Sequence, residues 1–93
     1  MNKKVFLICI ESNRPTDSQR VESVISMYIA ERYAVVMNNV YVVMARDFNA
    51  TCESIRGQLT SQLYGFQIFI MQTSTNAAWR LEPSVDSKLN SIL

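Results

Sequence analysis

The chain contains no histidine and so lacks the commonest general base and metal ligand at neutral pH. Histidine-based triads, Cys–His nucleophile pairs and histidine-ligated zinc all need a group it does not carry. Cys9 and Cys52 lie far apart, with no CxxC or other metal-ligand spacing. Each falls inside an apolar-periodic segment, which reads as two reduced core thiols rather than a disulfide. Gly57 and Gly65 are the only glycines, so no glycine-rich loop can cradle a phosphate. Carboxylates remain. Glu11 closes the apolar run Val5–Ile10, and Ser12, Asn13 and Arg14 follow it. A carboxylate at a strand end beside a dimer axis would meet its twin, and two such groups repel unless a cation or proton sits between them. With Mg²⁺ there, the pair could activate water for attack on a phosphodiester without histidine. Glu11 is then the candidate catalytic and metal-binding residue, and Ser12, Asn13 and Arg14 are the candidate nucleic-acid contacts. The plainer alternative is a solvated glutamate ending a strand, followed by an ordinary polar loop.

Other groups give weaker signals. Arginine dominates the basic residues, among them Arg14, Arg20, Arg46, Arg56 and Arg80. Its fork suits bidentate phosphate recognition, but scattered arginines more often make surface ion pairs, and no dense basic run is present. Trp79 beside Arg80 could stack on a base. It equally suits anchoring the tail against the core or a dimer mate.

The elements that must position these groups follow from periodicity. Val5–Ile10 is short and rich in β-formers, which predicts a strand. Pro15, Thr16 and Gln19 resemble a capping box, and Val21, Val24, Ile25, Tyr28 and Ile29 recur at helical spacing, predicting a helix over 17–32. Ala34–Met37 and Val40–Ala45 read as strands joined by a two-residue Asn38-Asn39 turn. Asn49 is a plausible N-cap for a second helix over 50–63, ended by Gly65. Phe66–Met71 is a fourth strand, and a short terminal helix is expected over 84–93. The order β-α-β-β-α-β is that of an α+β, ferredoxin-like domain spanning 1–93, with a four-stranded antiparallel sheet, two helices on one face and a short C-terminal extension.

Length and composition bound the rest. Ninety-three residues support one modest core, and 48% hydrophobic against 18% charged is greasy for so small a chain. The net charge of +1 advertises no strong field for nucleic acid or a membrane. The apolar run after Lys3 and Lys4 is too short for a signal peptide and far too short for a membrane span. A soluble, cytoplasmic protein is expected. The strands do not alternate: Phe6, Ile8 and Ile10 oppose Val5, Leu7 and Cys9, and Ile68 and Ile70 oppose Phe69 and Met71. Two helices cover one face only, so the second needs a cover. The leading expectation is a homodimer through that open face. The alternative is the C-terminal segment folding across it.

Lys4-Val-Phe-Leu-Ile-Cys-Ile-Glu11 with Asn13 and Pro15, Glu53-Ser-Ile-Arg56 with Leu59, and Asn76-Ala-Ala-Trp79 stand in order along the chain. Together they resemble the small CRISPR-associated endonuclease-like proteins (the second Cas protein of the adaptation complex) and their shorter relatives outside CRISPR loci. The resemblance covers about residues 4–81. It implies a ferredoxin-like homodimer, nucleic-acid-associated, in which a carboxylate at the end of the first strand pairs across the dimer axis to hold Mg²⁺. Family members carry aspartate there and this chain carries Glu11, whose extra methylene shifts the oxygens against a demanding octahedral geometry. The resemblance therefore implies at most weak metal-dependent nuclease activity on RNA or DNA. The alternative function is a non-enzymatic protein-interaction module, an inhibitor or adaptor, on the same scaffold.

Overall fold

The computed structural model describes residues 4–11, 18–73 and 78–93. Strand β1 (Val5–Glu11) is the predicted one extended by Glu11. Helix α1 (Ser18–Val24) continues as a π-helical turn, Ile25–Ile29, and β2 (Ala30–Met37) follows without a loop. The predicted helix over 17–32 is therefore corrected at its end, since Ala30, Glu31 and Arg32 belong to the strand. The Ala30 N–H reaches back to the Ile25 carbonyl, one residue further than in an α-helix, and Ala30 is already extended. That widened turn leaves main-chain carbonyls without helical partners. The Arg46 guanidinium answers them, donating to Ser26 and Ala30 at 3.0 Å and to Met27 at 3.3 Å.

The Asn38-Asn39 turn joins β2 to β3 (Val40–Ala45) as predicted. Helix α2 (Cys52–Gln62) is capped by Thr51 rather than by Asn49. Thr51 Oγ1 accepts the Ser54 N–H at 3.0 Å, and Ser54 Oγ accepts the Thr51 N–H at 2.9 Å. The Asn49 N–H turns instead to the Asp47 carboxylate at 2.8 Å. Gly65 at φ +83° supplies the left-handed residue after the helix. Strand β4 (Gln67–Thr73) runs two residues past the prediction, and α3 (Pro83–Ile92) begins on the proline. The predicted Thr16 capping box lies outside the described residues. No helix among those described is long and apolar enough to cross a membrane.

Among the described residues the chain is α+β, with three helices and one four-stranded antiparallel sheet in the order β2-β3-β1-β4. Strand β1 pairs with β3 (Leu7 opposite Val42) and with β4 (Leu7 opposite Met71). One face carries Phe6, Ile8, Ile10, Tyr41 and Val43, packed in one cluster with Val21 and Ile25 and with Ile55 and Leu59 of α2. On the other face Val5 and Ala34 form a second cluster with Leu89 and Ile92 of α3, flanked by Val36, Val42, Met44 and Trp79. The C-terminal helix thus lies on its own sheet, over β2 and β3. Trp79 anchors it, its indole N–H donating to the Asp86 carboxylate at 2.7 Å.

Candidate functional site

Glu11 is the last residue of β1, exposed, and shares the second face with Val5, Leu7 and Cys9 by alternation. In the sheet it stands opposite Gln67, the first residue of β4. The Ile10 N–H donates to the Asn39 carbonyl at 2.9 Å, tying the β2–β3 turn to the end of β1. Asn39 adopts φ +63°, a left-handed conformation that asparagine tolerates better than most residues. These contacts bring Cys9, Glu11, Asn38, Asn39, Gln67 and Phe69 around one open cleft of about 570 Å³.

The cleft combines one carboxylate, three carboxamides, a half-buried thiol and an aromatic ring. Its oxygen donors, one carboxylate and three carboxamides, are of the kind Mg²⁺ accepts. Among the described residues no three acidic, cysteine or histidine side chains converge. Ser12, Asn13 and Arg14, the predicted nucleic-acid contacts, lie outside the described residues. Asn38, Asn39, Gln67 and Phe69 escaped the sequence reading as site residues. The signal for the two asparagines was the turn itself, but Gln67 and Phe69 join only through the β1–β4 register.

The arginines have structural work. Besides Arg46, Arg20 donates to the Gln62 carbonyl at 3.1 Å and Arg32 to the Ser91 carbonyl at 3.2 Å, each bridging two elements distant in sequence. Arg56 and Arg80 are exposed. Both cysteines are free thiols, half-buried rather than fully in the core. Away from the cleft, the Tyr33 hydroxyl donates to the Glu22 carboxylate at 2.8 Å. Burial first, and that bond second, push the Tyr33 hydroxyl up to about 12.

Beside the cleft the second face stays partly exposed among the described residues. Helix α3 reaches β2 and β3, whereas Phe69 and Met71 on β4 remain 55% and 49% exposed, next to half-buried Leu7 and Cys9. Compared with family models, with curated proteins and with solved structures, the chain matches none of them.

Proposed function

We propose that this chain is a ferredoxin-like, non-enzymatic protein-interaction module that works as a homodimer, with the open half of its second sheet face as the contact surface. The strand order, read from the other edge as β4-β1-β3-β2, supports the ferredoxin-like part of this reading. The observation that carries the rest is the partial cover. Helix α3 buries the β2–β3 half and Val5 at the start of β1, while Phe69 and Met71 on β4 stay half-exposed. Paired apolar residues of that size beside an aliphatic floor favour a contact surface over plain solvent. Three arginines whose guanidinium donors are engaged with main-chain carbonyls also have fewer N–H groups free for bidentate phosphate contacts.

A second reading has one observation in its favour: Glu11 lines a cleft together with Asn38, Asn39 and Gln67. Two chains bringing Glu11 together would hold Mg²⁺, which when bound supplies Lewis acidity and an activated water to a phosphodiester. Labelled RNA and DNA incubated with the protein, in Mg²⁺ or in EDTA, separate the two. The module reading expects no metal-dependent cleavage and no retention of either nucleic acid at low salt. Cleavage that needs Mg²⁺ and disappears in Glu11→Ala overturns it in favour of the second.

A further inference from the structure

The two edges of the sheet are built differently. Strand β2 carries Glu31 and Arg32, shifts register between Ala30 and Arg32 and again between Val35 and Met37, and is backed by α3. Charges, irregularities and a covering element are the devices by which edge strands avoid pairing with another chain. Strand β4 carries neither charge nor register shift, and α2 packs on its first face while Phe69 and Met71 on its second face stay half-exposed. Its seven residues, Gln-Ile-Phe-Ile-Met-Gln-Thr, contain no charge, no proline and no glycine, and none is fully buried. Among the described residues no element pairs with its outer side.

The direction of its hydrogen-bonding groups follows from β1. Lys4 and Ile10 bond toward β3 and its turn, through the Lys4 carbonyl to the Ala45 N–H and the Ile10 N–H to the Asn39 carbonyl, both at 2.9 Å. Alternation then aims Leu7 and Cys9 at β4, so their opposites Met71 and Phe69 bond inward. Ile68, Ile70 and Gln72 therefore present N–H and C=O groups to the outer edge.

We propose that two copies of this chain join by antiparallel pairing of their β4 edges, with Ile70 on the two-fold axis, into one continuous eight-stranded sheet. The strand is self-complementary in that register. Ile70 pairs with its own copy through outward backbone groups, and Ile68 pairs with Gln72 of the second copy. Phe69 then meets Met71 of the second copy in the non-hydrogen-bonded position, where side chains come closest and a thioether–aromatic contact is favourable. No charge opposes a like charge. The open halves of the two second faces merge across the axis into one apolar strip, flanked on either side by α3.

This inference rests on the homodimeric part of the proposed function and specifies it. It also separates the two Glu11 residues. Each β1 lies one strand outside β4, so the two are about 14 Å apart across the sheet, and the register offsets them by about 20 Å along it. Carboxylates sharing one Mg²⁺ must approach to about 4 Å. An edge dimer therefore leaves Glu11 unpaired.

The test uses the full chain. Light scattering at tens of micromolar is expected to return twice the 10.6 kDa chain mass. Gln72→Pro removes an outward N–H from an exposed residue and is expected to halve the mass with an unchanged circular dichroism spectrum. Phe69→Cys and Met71→Cys, each in a Cys9→Ala, Cys52→Ala background, are expected to form a disulfide-linked dimer on oxidation when mixed, and neither alone. A monomeric parent overturns the inference. So does a dimer that persists in Gln72→Pro and gives no mixed cross-link, which would be a face-to-face dimer and would leave the module reading standing. Metal-dependent cleavage by a cross-linkable edge dimer would overturn the module reading and leave the edge pairing intact.

Discussion

Asn39 shows how much a single residue holds at this site. Its left-handed backbone, φ +63°, closes the β2–β3 turn, and its carbonyl accepts from Ile10 beside Glu11. A β-branched residue there would meet its own carbonyl, at a cost of about 1–2 kcal/mol. Asn39→Val is expected to lower the thermal midpoint by about 4–8 °C for each kcal/mol lost, and Asn39→Gly to leave it nearly unchanged, as read by calorimetry. Tyr33 contributes an alkaline pH dependence, beside Tyr41, whose hydroxyl is also pushed up by burial. Burial and the Glu22 carboxylate raise the Tyr33 hydroxyl from the ordinary 10 to about 12, so the folded chain holds that proton more tightly than the unfolded chain. Its contribution to stability is complete below pH 10 and is lost as pH rises from 10 to about 12. Ultraviolet titration is expected to place the Tyr33 step by its loss in Tyr33→Phe. That variant is also expected to lose about 1 kcal/mol at neutral pH, the worth of one hydrogen bond at a half-buried site. At this scale the sequence was partly legible. Glu11 and the asparagine turn were readable from type and position, but Gln67 and Phe69 reach the cleft only through pairing between strands distant in sequence.

Elements were legible where one period dominates. The run Val5–Ile10 and the Cys52–Leu63 stripe satisfy one template each, and the strand and helix stand where the pattern puts them. The error over 30–32 arose because Ala30, Glu31 and Arg32 are all good helix formers. Burial of Ala30 at the sheet decided for the strand, and the π turn absorbed the change of period. The N-cap moved from Asn49 to Thr51 because Ser54, not a glutamate, completes the reciprocal pair. Within α2, Gly57 has open space around the position of a Cβ and no positive φ. Gly57→Ala is therefore expected to stabilise the protein by about 0.5–1 kcal/mol, since alanine gives up less backbone freedom on folding. Gly65→Ala also meets open space, yet its φ of +83° makes the same change destabilising. A urea titration of both variants is expected to move the midpoints in opposite directions.

At the scale of the whole molecule, an excess of apolar residues with too few charges has two outlets. One was weighed in the sequence only as an alternative to dimerisation: α3 lies on the second face and buries Leu89 and Ile92 against Val5 and Ala34. The other is the half that α3 does not reach. Physical accounting assigns these halves different kinds of stability. Leu89 is 3% exposed, and Leu89→Ala is expected to cost about 2–5 kcal/mol at any protein concentration, because the cavity belongs to the single chain. Met71 is 49% exposed, so in an isolated chain its truncation removes little packing, about 0.5 kcal/mol or less. Its contribution arises through association, which stabilises by mass action and makes the thermal midpoint rise with concentration. Thermal unfolding across a hundredfold range of concentration is expected to show that rise in the parent chain and in Leu89→Ala, offset downward in the latter. The rise is expected to weaken in Met71→Ala and to vanish in Gln72→Pro. A midpoint independent of concentration in the parent chain would mean that the open half contributes nothing through assembly. Its apolar residues would then act only toward a different protein, and the second face would divide into a folded half and a binding half within one chain.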